Sequence, residues 1–275
     1  MINLGFKGKT FFVQGGTSGV GKAAARILLE EGAKVGITGT SEASVVAALA
    51  ELREISPRVA GRVANVKDKA AIEEAVTYFE TELGPIDGLL ICAAISGSAP
   101  AEDLDIEEWN NVLSVNLSGA FLTAQCVGRQ MIARRCGAIV FVGSTDGLGG
   151  HPSRTHYVAS KHGLNGLTKN LALEWGRHGI RINCIAPNAI DTPMLQRNMP
   201  PAFLSNVIED RTPLGRVAQA SEIASAALLL LSEAASYITG ATVPVDGGLT
   251  AGFWTRRNGA DYSSKRLLDA GIYEE

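Results

Sequence analysis

Thr10-Phe11-Phe12-Val13-Gln14-Gly15-Gly16-Thr17-Ser18-Gly19-Val20-Gly21-Lys22 decides the fold. A short apolar run breaks into a glycine-rich turn, and the turn opens directly into a helical pattern over Gly21–Glu31. A run of five residues, covered on both faces, reads as a buried strand. The glycines permit a tight turn and the close approach of a phosphate. The unbonded N–H groups and the dipole of the helix start would stabilise its charge. A glycine turn alone is a weak signal, and a strand-to-helix turn without a ligand has the same composition. Its place at the first strand–helix junction makes nucleotide binding the stronger reading.

Outward from this unit the pattern repeats. Strands are expected at Thr10–Gln14, Lys34–Thr38, Val59–Asn65, Gly88–Cys92, Ala138–Gly143, Arg181–Ile185 and Thr242–Val245. Helical patterns fill the gaps, at Gly21–Glu31, Glu42–Ile55, Lys69–Leu83, Ile106–Arg134, Tyr157–Arg177 and Ser221–Leu231. Strands alternating with helices require crossovers, and hence a parallel sheet with helices on both faces. The strands are continuously apolar rather than alternating, as burial on both faces demands. The expectation is an α/β, Rossmann-type doubly wound sheet of about seven strands in one domain over residues 1–250. Ligands of such sheets bind beyond the carboxyl ends of the strands.

The second strand runs into Ile37-Thr38-Gly39-Thr40-Ser41, with no carboxylate before Glu42. An acidic residue there would hold a ribose 2′-hydroxyl and repel a 2′-phosphate. Small hydroxyls at Thr40 and Ser41 beside Gly39 favour NADP over NAD, although no arginine accompanies them. Asn65, with Val66 after it, closes the third strand, where it could bond the adenine or merely cap the strand end.

At the other end of the sheet, Ser144 follows the fifth strand, Tyr157 comes thirteen residues later, and Lys161 lies four residues beyond it. The i,i+4 spacing sets an ammonium one helical turn from a phenol. A phenol whose ionised form is favoured in this way can pass a proton to or from a carbonyl oxygen. Ser144 could hydrogen-bond the same oxygen.

Together with Asn116 in Val115-Asn116-Leu117-Ser118-Gly119 and the closing Val245-Asp246-Gly247-Gly248, these residues resemble the short-chain dehydrogenase/reductase family, in its short single-domain branch. The resemblance covers roughly residues 8 to 248. It implies an NAD(P)-dependent enzyme that moves hydride between the cofactor and a secondary alcohol or ketone. Tyr157 is then the general acid/base, Ser144 positions the substrate oxygen, and Asn116 holds a water in a proton relay. Lys161 helps the phenol ionise and holds the nicotinamide ribose, and Thr192 binds the carboxamide. Gly15, Thr17, Ser18, Gly19, Val20, Gly21, Val66, Ala93, Ala94, Pro187, Asn188 and Ile190 would complete the cofactor's surroundings. The Gly39-Thr40-Ser41 run resembles the NADPH-using 3-oxoacyl-carrier-protein reductases.

The chain departs from the family's pattern at Gln14, at Ile91-Cys92-Ala93-Ala94 and at Pro187-Asn188. Gln14 is expected to reach the Cys92–Ala94 backbone and restore a link between the first and fourth strands. Substrate contacts are expected from Ser144, Asp146, His151, Tyr157, Asn188 and Met194. The apolar loop after Thr192 (Met194, Leu195, Met199, Pro200, Pro201, Phe203, Leu204) reads as a lid or as a helix docked on the core.

Composition narrows the rest. The net charge of −3 and the absence of a Lys/Arg run exclude nucleic acid as a partner. Four cysteines without a CxxC or any metal-ligand spacing suggest reduced thiols and no metal. The start of the chain lacks an apolar signal core, and no apolar stretch is long enough to span a membrane. A cytoplasmic location is therefore expected. The extension 251–275 carries Phe253, Trp254, Tyr262 and Tyr273, too aromatic for a disordered tail. It is expected to be ordered near a subunit interface or the pocket. The family implies a homotetramer or homodimer joined through the long helices, where Ala159, Gly163 and Gly166 permit close contact.

Two other functions compete. A catalytically silent nucleotide-binding regulator or scaffold of this fold would typically have lost Tyr157 or Lys161. An epimerase or dehydratase would need an added substrate domain, for which the chain has no room.

Overall fold

The computed structural model describes residues 4–198, 202, 204 and 208–252. Seven parallel strands form the central sheet: β1 (Thr10–Gln14), β2 (Lys34–Gly39), β3 (Val59–Val63), β4 (Ile86–Ile91), β5 (Gly137–Val142), β6 (Ile180–Pro187) and β7 (Thr242–Val245). Their spatial order is β3-β2-β1-β4-β5-β6-β7, so the chain reverses its direction of travel across the sheet between β3 and β4. The crevice opened by this reversal lies at the carboxyl ends of β1 and β4. In register, Val13 pairs with Ile37 on one side and with Leu90 on the other.

The helices are α1 (Gly19–Glu30), α2 (Glu42–Arg53), α3 (Lys69–Leu83), α4 (Ile106–Leu113), α5 (Ala120–Arg134), α6 (Thr155–Trp175), α7 (Pro193–Asn198) and α8 (Ala220–Leu231). One apolar layer packs α1, α2 and α8 against the sheet through residues such as Leu28, Ile37, Val140 and Leu228. The opposite layer packs α3, α5 and α6 through Phe79, Leu89, Val127, Phe141 and Leu164. Both faces of β1 are therefore covered, and all five of its residues are buried. This explains why the strands read as apolar runs.

Two expectations are corrected. The segment expected as one helix over Ile106–Arg134 is interrupted by a π-helical turn, Ser114–Gly119, between α4 and α5. Such turns carry an extra residue, are rare, and cluster at functional sites. Gln14 also does not hydrogen-bond the Cys92–Ala94 backbone through its side chain. Its Nε2 instead donates to Thr123 Oγ1 on α5 at 2.7 Å, and Oε1 is buried without a hydrogen-bond partner. The side chain points across the sheet face toward α5, whereas Cys92 lies along the neighbouring strand. The β1–β4 link is made by backbone alone, Cys92 N–H donating to Gln14 O at 2.9 Å.

Among the described residues, no helix is long and apolar enough to cross a membrane. The extension 253–275 lies outside the described residues, as do Met199, Pro200, Pro201 and Phe203 of the expected lid. Leu195 is buried in the described part of that loop, and Met194 on the same short helix is half-buried.

Candidate active site

The glycine turn is held by backbone. Gly15 has φ +78°, and a Cβ there would come within 2.8 Å of Ala93 N, so the turn lies directly on the end of β4. A Cβ on Gly21 would stand 2.2 Å from Gly15 O, so α1 starts in contact with the turn that precedes it. Ser18 is the N-cap of α1, but its side chain makes no capping bond. The first N–H groups of any helix lack intrahelical acceptors. Here they face the crevice uncapped, and the turn fits a nucleotide diphosphate.

Thr17 packs beside Gly39, and the Thr192 methyl packs over Gly19. At the end of β2, Thr40 and Ser41 are exposed, and Ser41 Oγ caps α2 by accepting from Ser44 N–H. Asn65 Oδ1 accepts from Lys67 N–H at 3.0 Å, the strand-end cap that was one of its two readings. Val66 is buried against Gly119 at the end of the π turn.

The groups expected to react lie on the turn after β5 and on α6. Ser144 Oγ accepts from Asp146 N–H at 3.1 Å, which closes the short 3-10 turn Thr145–Gly147. This turn lies flat on α6, where Asn165 Nδ2 donates to Gly147 O at 2.7 Å. Tyr157 and Lys161, both buried, sit one turn apart on that helix. Lys161 Nζ donates to Val142 O at 2.8 Å and lies 5.4 Å from the centre of the Tyr157 ring. Among the described residues no group hydrogen-bonds the Tyr157 hydroxyl.

Asn116 sits in the π turn, 1% exposed. Its Oδ1 accepts from Ile95 N–H at 2.8 Å, while Nδ2 donates to Ile95 O at 2.9 Å and Ser160 Oγ at 3.1 Å. It thus ties the segment after β4 to α6, one residue beyond Ala93 and Ala94. Cys92 sits close enough to feel Lys161, yet burial outweighs that cation and pushes its thiol up to about 12.

Of the expected substrate contacts, Asp146 and His151 are joined, with His151 Nδ1 3.2 Å from Asp146 Oδ1. Asn188 turns elsewhere, its Nδ2 donating to Thr212 Oγ1 at 2.9 Å. Pro187 ends β6, and Ile190 enters a two-residue ladder with Ala218. Thr192 Oγ1 donates to Ile190 O at 3.2 Å and accepts from Leu195 N–H, fixing the start of α7.

Arg154 reads from the sequence as one of four polar residues of the loop 145–156, with Asp146, His151 and His156, each more often solvated than a ligand but open to use by a polar substrate. Its guanidinium lies 4.2 Å over the Tyr157 ring centre, pairs with Asp146 Oδ2 at 3.0 Å and donates to Ser96 Oγ. His156, another of the four, is not solvated: it is fully buried, with Nε2 3.2 Å from Glu108 Oε1. No local motif marks the contacts to Ser96 and Glu108, which lie on other segments.

The comparisons agree with this fold. The family model described as enoyl-(acyl carrier protein) reductase matches residues 15–250. Levodione reductase of Leifsonia aquatica is 38% identical over 257 residues, covering 90% of this chain and 96% of that protein. The 3-oxoacyl-[acyl-carrier-protein] reductase of Thermotoga maritima is 37% identical over 243 residues, covering 88% of this chain and 98% of the relative. A crystal structure of levodione reductase superposes with a TM-score of 0.86 at 37% identity, over 90% of this chain and all of that one. The chain is a Rossmann-fold oxidoreductase of the NAD(P)-dependent type. It belongs to the short-chain dehydrogenase/reductase family.

Proposed function

We propose that the protein passes hydride between NADP(H) and a secondary alcohol or ketone, with Tyr157 as general acid/base. One observation carries this reading: among the described residues the Tyr157 hydroxyl has no hydrogen-bond partner, and Lys161 lies 5.4 Å from the centre of its ring. A bound nicotinamide nucleotide would supply or accept the hydride. The remaining work falls to the side chains. Ser144 already accepts from Asp146 N–H, so its own proton is left to donate to a substrate oxygen. Tyr157 gives that oxygen its proton in reduction and takes it back in oxidation. Lys161 has three N–H donors and uses one on Val142, which leaves two for the ribose and the proton path. The Asn116 amide is committed to Ile95 and Ser160, so a relay water would be held by its main chain.

The exposed hydroxyls of Thr40 and Ser41, with no carboxylate until Glu42, support NADP. Residues 1–250 hold both sites in this reading, with 251–275 as an extension. Asp146, His151 and Met194 face the substrate, while Asn188 acts by bracing the loop through Thr212. An exposed apolar groove lined by Leu117, Phe121, Gly163, Gly166 and Leu167 supports a homotetramer or homodimer built on α5 and α6. A screen of ketones and alcohols with NADPH, NADH and their oxidised forms, followed by nicotinamide absorbance, tests the reaction. Turnover of a ketone with NADPH is expected. No redox change with any substrate would leave the silent-scaffold alternative standing.

A further inference from the structure

Arg154 occupies a position that folding alone does not require. Ser153 before it has φ +63°, a left-handed conformation that non-glycine residues rarely adopt. This turn brings Arg154, the N-cap residue of α6, back over its own helix, where its side chain makes no capping bond. The guanidinium instead stacks on Tyr157 at 4.2 Å. Arginine carries five N–H donors and no acceptor. At most two are used among the described residues, one toward Asp146 Oδ2 and one on Ser96 Oγ. Asp146 is itself held from the other side by His151 and by the turn that carries Ser144. A guanidinium with spare donors is therefore fixed over the Tyr157 ring.

We propose that Arg154 determines specificity, favouring ketones that carry a carboxylate near the reacting carbon. This inference rests on the proposed oxidoreduction at Tyr157 and names its substrate class. A donor-only fork selects planar acceptor oxygens, which it meets in two parallel hydrogen bonds. A hydrocarbon in the same place would leave those donors buried and unpaired, which costs binding.

The test uses oxo acids with the carboxylate one to three carbons from the ketone, each paired with the neutral ketone of equal length. Wild type should favour at least one oxo acid in kcat/KM. In Arg154→Met that preference should fall about tenfold or more, chiefly through KM. Nucleotide affinity and melting temperature of the variant are measured alongside. Should Arg154→Met fail to fold, Arg154→Lys keeps the charge without the fork, and its preference should fall as well. An equal loss on both members of each pair would make Arg154 a brace for Ser96 and overturn the inference. So would an unchanged preference, or a wild type with none. If no ketone of either kind turns over with either nucleotide, the proposed reaction fails first and carries this inference down with it.

Discussion

Lys161 reaches back from α6 to the carbonyl of Val142, the last residue of β5, at 2.8 Å. The bond pins the helix that carries Tyr157 to the strand that delivers Ser144. The distance between Tyr157, the proposed acid/base, and Ser144, the hydroxyl proposed to position substrate, is thereby set by rigid elements rather than by a loop, as a preorganised site requires. The same lysine cannot be replaced by a shorter side chain without freeing that joint.

The start of α1 allows no side chain at Gly21, where a Cβ would stand 2.2 Å from Gly15 O. Gly21→Ala should push the helix off the turn, cost about 1–3 kcal/mol of stability and weaken nucleotide binding. Denaturant unfolding and fluorescence titration with NADPH check both. Native affinity in a stable Gly21→Ala protein would show that the turn does not hold the diphosphate.

Cofactor preference should lie at the end of β2. Thr40→Asp places a carboxylate where a 2′-phosphate would sit, and repulsion near the surface should lower NADPH affinity about tenfold or more. NADH affinity should fall less or rise. Equal effects on both nucleotides would move the 2′ site elsewhere.

Arg181 caps the last helix from the side. Its guanidinium donates to the carbonyls of Leu230, Leu231, Ser232 and Ala235, satisfying groups that the end of α8 leaves open. Arg181→Met should cost about 2–3 kcal/mol, with kcat and KM at 25 °C little changed. A stability loss well under 1 kcal/mol would mean that water replaces the guanidinium without penalty.

The thiols of half-buried Cys92 and buried Cys184 set an alkaline limit. Burial pushes Cys92 up to about 12 and Cys184 to about 11, from an ordinary value of 9.0. Below pH 9 both are protonated in either state and add no pH dependence. Above it the unfolded chain loses these protons before the folded chain does, so stability falls as pH rises. The slope is about 1.4 kcal/mol per pH unit for each thiol. Between pH 8 and pH 10.5 the double variant Cys92→Ala/Cys184→Ala should lose less stability than wild type. Parallel losses would contradict the assignment. Exposed Cys136 should be alkylated first at pH 8.

Much of this was legible because it is local. The apolar runs of β1 and β7 match the expected bounds residue for residue, since each is closed by glycine or polar residues. The glycine turn and the Tyr157–Lys161 pair depend on spacing within a single element. The π turn at Asn116 was hidden, because an extra residue in a helix leaves the 3.6-residue pattern nearly intact. Gln14 was misread for a different reason. The family's pattern links that position to the end of the fourth strand, but the pleat aims its side chain at Thr123, more than a hundred residues away. Arg154 is set over Tyr157 by the backbone angle of Ser153, which no composition or period reveals.

The central claim is that the Tyr157 hydroxyl moves the proton. Tyr157→Phe removes that oxygen and leaves the ring, Lys161 and the glycine turn in place. Single-turnover reduction of a ketone found in the screen, with NADPH bound, should slow by about 100-fold or more, with NADPH affinity within a factor of about three. Wild-type turnover in Tyr157→Phe would contradict the assignment outright.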